Sequence, residues 1–339
     1  MGAPQLRTPK PPLNMGAPQL RTPKPPPNMG ARWVVFAYHT FGARALAALL
    51  ARGETVAAVV THEDHPSEGD WFESVAELAR AHGVPVLSPI SPNDPAIVAH
   101  LATLDADVFL SVWYRRLLGK TLLAMPRRAA LNVHGSLLPA YRGRAPLNWV
   151  LVNGETRTGV TLHHMTREAD AGDIVAQEAI DIRPDDTART LYERMVKVGV
   201  DLLMQWTPAV LAGIAPRRPQ DHARATVYGR RRPEDGRVAW AWPARRIANM
   251  IRAVARPYPG AFVGDADGRV HLWEGVVAGA TGGSLPGTVL AVEAGQGVTV
   301  ATGEGALRLT RVQTAGGAEL PADLWAEASG LRPGDRLAD

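Results

Sequence analysis

The sequence predicts an α/β protein: a doubly wound, mostly parallel sheet followed by a small C-terminal OB-like β-barrel. Three observations carry this. Short apolar runs alternate with helical stretches from residue 33 to about residue 216. An Arg- and Pro-rich stretch, 217–233, interrupts that rhythm. Beyond it come short β-like runs punctuated by glycine.

Taken in order, 33–37 reads as a buried strand and 41–52 as a helix stopped by Gly53. A second strand follows at 56–61. The stretch 71–82 reads as a helix, with Val75, Leu78 and Ala79 on one face and Gly83 past its end. Segments 84–87, 96–104 and 107–112 continue the alternation, and 129–134 is another short apolar strand. Strands at 159–164 and 174–182 flank a loop containing Asp170. Asp186 is placed to cap a long helix, 187–213, whose buried stripe is Leu191, Met195, Val198 and Leu202. A short helix at 242–254 precedes barrel strands at 261–263, 269–273, 287–292, 298–301 and 306–310. The expected organisation is a leader over 1–28, an α/β domain over 29–216, a linker over 217–233 and the barrel over 234–339.

The leader is a repeat. Residues 1–14 and 15–28 differ at one position, and a third copy starts at Met29-Gly30-Ala31 before breaking off. It is Pro-rich, lacks hydrophobic periodicity and lacks a signal peptide's apolar core. It reads as dispensable, or as preceding a true start at Met29. Its Arg7, Lys10, Arg21 and Lys24 account for the whole net charge of +4, leaving a neutral body. A neutral body argues against broad nucleic-acid binding, which depends on neutralising phosphates. No apolar run approaches the roughly 18 residues of a membrane helix. The chain has no cysteine, which removes disulfides, thiolate catalysis and Cys-ligated zinc. A cytoplasmic protein is expected. After the first strand the chain reads Ala37-Tyr38-His39-Thr40-Phe41-Gly42, without the glycine fingerprint of dinucleotide binding.

Chemistry concentrates in 131–139, Leu-Asn-Val-His-Gly-Ser-Leu-Leu-Pro. Asn132 and His134 are two residues apart and share one face of a strand. An amide can donate to a developing oxyanion while an imidazole moves a proton, as reaction at a carbonyl requires. His134 falls at the carboxyl end of its strand, where wound sheets bind ligands. Singly, each residue has a structural reading, since His134 is one of ten histidines and Asp170 an ordinary loop acid. The combination is more specific: the Asn-x-His-Gly-Ser stretch, then Arg142-Gly143-Arg144-Ala145-Pro146, then Asp170. His163 and His164 are adjacent on a strand, so one is expected buried and the other exposed.

These stretches resemble the folate-dependent formyltransferase family, which includes methionyl-tRNA and sugar N-formyltransferases. The likeness runs from about residue 33 to the C-terminus and is carried by 34–42, 131–156, 158–165, 169–177 and 252–262. Within the family it is greatest to the polymyxin-resistance branch, which formylates UDP-4-amino-4-deoxy-L-arabinose for lipid A modification. The resemblance implies a Rossmann-like formyltransferase domain. It implies Asn132, His134 and Asp170 as the catalytic trio, and 10-formyltetrahydrofolate as formyl donor with no metal. It also implies donor contacts at Arg116, Leu117, Leu118 and Arg144 and in the loop Thr166, Arg167, Glu168, Ala169, Asp170. A primary amine would attack the formyl carbon, with Asn132 and His134 stabilising charge on the formyl oxygen. His134 would either pass a proton to the leaving nitrogen or take one from the incoming amine, held by Asp170. The chain ends one barrel's length after the linker, so the branch's second, oxidative-decarboxylase domain is expected to be absent.

Two acceptors compete, a nucleotide-linked amino sugar and an aminoacyl-tRNA. The loop 61–70, where tRNA-formylating members are basic, holds four acids and no Lys or Arg. From Glu234 onward there are 10 Arg, no Lys and 12 acids. Neither surface suits phosphate tracking. Arg230-Arg231-Arg232 reads equally as a phosphate contact or a solvated linker, and Trp149 as sugar-type motif or core. The expected partner is a nucleotide-linked 4-amino sugar. A methionyl-tRNA and a peptide or siderophore amine are the alternatives.

Overall fold

The computed structural model describes residues 30–64, 71–266, 268–280 and 283–339. The expected leader lies outside the described residues, and the acidic loop is described only as far as Asp64.

The first domain comprises β1 (Arg32–Ala37), α1 (His39–Ala51), β2 (Thr55–Val60), α2 (Val75–Ala81), β3 (Val86–Leu87), α3 (Pro95–Ala102), β4 (Val108–Val112), α4 (Lys120–Leu123), β5 (Ala129–His134), β6 (Arg142–Gly143), α5 (Pro146–Val152), β7 (Arg157–His164), β8 (Ile174–Asp181) and α6 (Ala188–Leu211). Its seven-stranded sheet has the order β3-β2-β1-β4-β5-β7-β8. The first five strands are parallel, β7 adds antiparallel to β5, and β8 antiparallel to β7. Strands covered on both faces need apolar residues at every position, and β4 is buried throughout. Along β1, Trp33, Val35 and Ala37 join the core beneath α1 and α6, while Val34 and Phe36 join the opposite core with Leu101, Phe109 and Leu122.

Three boundaries differ from expectation. The 71–82 helix begins only at Val75, because the Ser74 side chain accepts from the Glu77 N–H and so caps it. The long helix is capped by Thr187, in extended backbone, within a reciprocal Thr187–Thr190 box. Asp186, one residue too early to cap, accepts from the Arg183 N–H and Thr190 Oγ1 and pairs with Arg194. The 217–233 linker is built into the first domain: β9 (Val227–Tyr228) pairs in parallel with β6.

The C-terminal domain contains α7 (Ala244–Val254), β10 (Ala261–Val263), β11 (Val270–Ala278), β12 (Val289–Glu293), β13 (Gly297–Ala301), β14 (Ala306–Thr314), β15 (Glu319–Pro321) and α8 (Ala322–Ala328). The strands form one antiparallel sheet, β10-β11-β14-β13-β12, with β15 on β14. Asn148 Nδ2 of α5 donates to the Ala253 carbonyl over 2.7 Å, joining α7 to the first domain. Among the described residues no helix is long and apolar enough to cross a membrane.

Candidate active site

β5 sets the site. It lies between β4 and β7, and its register puts His163 directly opposite Asn132. Asn132, His134 and His163 therefore reach the same end of the sheet. The His163-His164 expectation is overturned: both rings are buried. His163 turns to Asn132, and the bulge where β8 shifts register between Leu162 and His163 breaks the simple alternation of faces. His164 Nε2 donates to the Pro216 carbonyl, and burial, aided by the charge of Arg217, pushes its pKa down.

Asp170 comes to this point on the β7–β8 loop. Its Oδ1 lies 3.4 Å from Asn132 Nδ2, 3.4 Å from His134 Nδ1 and 3.5 Å from His163 Nε2. The short bond is on the other oxygen, where Oδ2 accepts from the Gly143 N–H at 2.9 Å. Burial works to raise the Asp170 pKa. The charge of His134, the bond and charge from His163 and the Gly143 N–H outweigh it, holding the carboxyl well below the usual carboxylate range. His134 Nε2 donates to the Tyr141 carbonyl at 2.8 Å. Both nitrogens of His134 thus face acceptors. Contacts of 3.4 Å are longer than good hydrogen bonds, so the Asn132 and His134 donors are aimed at Oδ1 without being saturated by it and can turn to a second oxygen.

Three residues absent from the expected site hold it together. His163 orients Asn132. Gln220, in the linker, donates to the carbonyls of Asp170 and Gly172 at 2.8 and 2.6 Å. Arg142 in turn donates to Gln220 Oε1 at 2.7 Å. The backbone is correspondingly strained. Of the six non-glycine residues with left-handed φ among the described residues, His39, Trp113, Ala145 and Asp170 line the cavity above the trio, and Tyr141 supplies the carbonyl that holds His134. Such conformations cost about 1–3 kcal/mol each and cluster where geometry must be imposed.

The cavity has a volume of about 650 Å³ and spans both domains, reaching Tyr258 and Gly260. The structure brings Arg116, Leu117, Leu118, Arg144, Thr166, Ala169 and Asp170 to its wall together with Asn132 and His134. Arg167 and Glu168 do not line it; both are exposed. Asn93 fixes the 117–119 turn, donating to the Leu117 carbonyl and accepting from the Gly119 N–H. Leu117 is left 65% exposed at the mouth while Leu118 is buried. An apolar side chain presented this way beside Met165 and Ala169 suits a flat aromatic ligand.

Residues 31–207 match the family described as formyl transferase, and residues 231–330 match its C-terminal domain. The chain belongs to the formyl transferase family. Its chemistry is transfer of a formyl group. Among solved structures, this formyl transferase resembles WlaRD, a sugar 3N-formyl transferase, at 16% identity and a TM-score of 0.62, covering 83% of this chain and 98% of that one. It resembles an N-formyltransferase from Helicobacter canadensis at 17% identity and a TM-score of 0.61, covering 83% and 99%. It also resembles HypX from Aquifex aeolicus at 19% identity and a TM-score of 0.61, covering 90% of this chain and 49% of that one.

Proposed function

We propose that this formyl transferase moves a formyl group from 10-formyltetrahydrofolate to the primary amine of a nucleotide-linked amino sugar, of the UDP-4-amino-4-deoxy-L-arabinose type. The observation that carries the reading is the convergence of Asn132, His134 and Asp170 at the floor of one cavity. Two neighbours support a folate donor and a nucleotide-linked amino sugar, though not the UDP form: WlaRD was crystallised with dTDP and 5-N-formyl-THF, and the Helicobacter canadensis enzyme with folinic acid and dTDP-3-aminofucose.

The donor fits the residues present. Leu117, Leu118, Met165 and Ala169 line one cavity with Arg116, Arg144, Thr166 and Asp170, an apolar wall with cations for an acidic tail. The donor supplies an electrophilic one-carbon unit. Asn132 Nδ2 donates to the formyl oxygen as charge builds there, a role worth about 3–4 kcal/mol per donor. His134 carries the proton between the incoming amine and the departing nitrogen. The Tyr141 carbonyl anchors Nε2, and Nδ1, only 3.4 Å from the ionised Asp170, is the nitrogen left free to exchange the proton.

The test is formyl transfer from 10-formyltetrahydrofolate, followed by mass spectrometry of the acceptor. UDP- and dTDP-linked amino sugars and charged methionyl-tRNA are compared. Turnover on a sugar nucleotide is expected. Turnover on the charged tRNA with none on sugar nucleotides overturns the acceptor.

A further inference from the structure

The turn that follows β5 ends on one backbone carbonyl, that of Tyr141, which takes the Nε2 proton of His134 at 2.8 Å. A carbonyl cannot donate, so in the neutral ring the proton sits on Nε2 and Nδ1 is open to exchange. We infer that Ser136 and Thr226 are positioning residues for the transfer step. Their hydroxyls grip the two ends of the Ala140–Tyr141 peptide, aim the Tyr141 carbonyl at His134 and so fix which imidazole nitrogen reacts. This deepens the reading of His134 as proton carrier, on which it rests.

The grip is two-sided. Ser136 Oγ donates to the Ala140 carbonyl at 2.7 Å, and the Tyr141 N–H donates to Thr226 Oγ1 at 2.8 Å. A peptide plane held at both its oxygen and its nitrogen resists rotation. Tyr141 then takes a left-handed φ of 61°, which turns its own carbonyl back onto the ring. That region is normally glycine's, so a tyrosine stays there only where its surroundings impose it. The side chain is pinned as well: its hydroxyl donates to Glu155 Oε1 at 2.6 Å and its ring stacks on Tyr228 at 4.8 Å.

Ser136 is itself anchored. It is fully buried, and Thr161, directly opposite His134 in β7, donates from Oγ1 to the Ser136 carbonyl at 2.6 Å. The same Oγ1 accepts from the Leu138 N–H and from Gln177 Nε2. The turn is thus tied to the strand beside His134. Thr226 differs in kind, since it is exposed and does not line the cavity. Its carbonyl accepts from the Arg142 N–H at 2.8 Å, so the pairing of the linker to β6 survives loss of the hydroxyl. Were the Tyr141 carbonyl to turn away, Nε2 would lose its acceptor. The proton would then settle on Nδ1 against Asp170, and the ring would present its base on the wrong side.

Thr226→Val keeps the branched shape and loses the acceptor, Thr226→Ser keeps the hydroxyl, and Ser136→Ala cuts the other end of the grip. Each protein would be labelled with 15N-histidine and its imidazole signals read by NMR, those of His134 being identified by their absence from His134→Ala. Transfer from 10-formyltetrahydrofolate to UDP-4-amino-4-deoxy-L-arabinose would be measured on the same samples, together with Tm. Wild type and Thr226→Ser should show His134 as the Nε2–H tautomer. In Thr226→Val and Ser136→Ala the Nδ1–H form should appear and kcat should fall about tenfold or more, with both KM values within about twofold. Thr226→Val should keep its Tm within a few degrees. An Nε2–H ring in both variants overturns the inference, whatever Tm and kcat do, and an inactive His134→Ala then leaves the proton carrier standing. Turnover by His134→Ala removes the proton carrier and the inference with it. A wild type inactive on this sugar nucleotide removes the acceptor reading alone, because the tautomer spectra need no acceptor and still decide the role of Ser136 and Thr226.

Discussion

Asn132 Nδ2 meets His163 Nε2 across the β5–β7 pair, at 3.1 Å. The ring is fixed from behind: His163 Nδ1 meets the His164 carbonyl at 2.9 Å, and Nε2 faces both the Asn132 amide and Asp170 Oδ1. The ring therefore decides which way the Asn132 amide faces. With its amide nitrogen held at 3.1 Å from His163 and only loosely, at 3.4 Å, from Asp170, Asn132 can exchange the longer contact for the reacting carbonyl oxygen.

Replacing His163 tests this positioning role. His163→Phe fills similar space but cannot hydrogen-bond, so the Asn132 amide loses its reference. We expect kcat to fall about 10–100-fold, in keeping with the loss of a supporting contact behind a functional group. The KM values of donor and acceptor should stay within threefold. A merely structural role would instead lower Tm and leave kcat of the folded fraction unchanged.

Truncating the trio itself has a larger effect. Asn132→Ala removes one oxyanion donor and is expected to cost about 10²–10³ in kcat. His134→Ala should abolish measurable transfer while leaving binding of a non-transferable folate analogue within a few-fold of wild type. Calorimetry with that analogue and single-turnover formyl transfer give the two readouts. Wild-type turnover by either variant would falsify the assignment.

Much of this was legible in the sequence, for a physical reason. Parallel strands are continuous apolar runs and helices carry their own periodicity, so the wound sheet shows itself in composition alone. Asn132 and His134 share a strand, which makes their common direction a local property. His163 and Gln220 were not readable in this way. The first depends on the β5–β7 register and a bulge. The second lies in a stretch whose Arg, Pro and polar content hid a strand paired to β6 and a glutamine buried under the active-site loop. A lone apolar Val227 beside Tyr228 is too short a signal for a strand. Residues contributed by long-range pairing leave no periodic trace.

The depressed pKa of Asp170 makes a statement about pH. A carboxyl whose folded pKa lies below its unfolded value of about 3.9 stabilises the fold fully above that value. The contribution is lost as pH falls through the folded pKa. The stability difference between wild type and Asp170→Asn, read from urea midpoints, should therefore not close as pH falls from 8 to 5. It should shrink only below about pH 4. Asp170 should add no ionisation to the kcat profile over pH 5–9. A midpoint difference that begins to close near pH 6 would contradict the cause assigned to the shift.

Gln220 offers the sharpest test that the linker belongs to the site. Its amide nitrogen serves two carbonyls, Asp170 and Gly172, and its amide oxygen takes two bonds from Arg142. Gln220→Leu keeps the volume but leaves those carbonyls and the buried guanidinium unsatisfied, which costs about 2–4 kcal/mol. Tm should drop by several degrees, a loss visible by calorimetry. Because Asp170 holds a left-handed φ of 54° that the Gln220 bond supports, kcat should fall as well, even below the new Tm. Gln220→Glu separates the two effects. Its carboxylate can still accept from Arg142 but cannot donate to Asp170 and Gly172, so much of the stability should return while kcat stays low. Recovery of kcat together with Tm in that variant would show that the linker supports the fold alone and has no hold on Asp170.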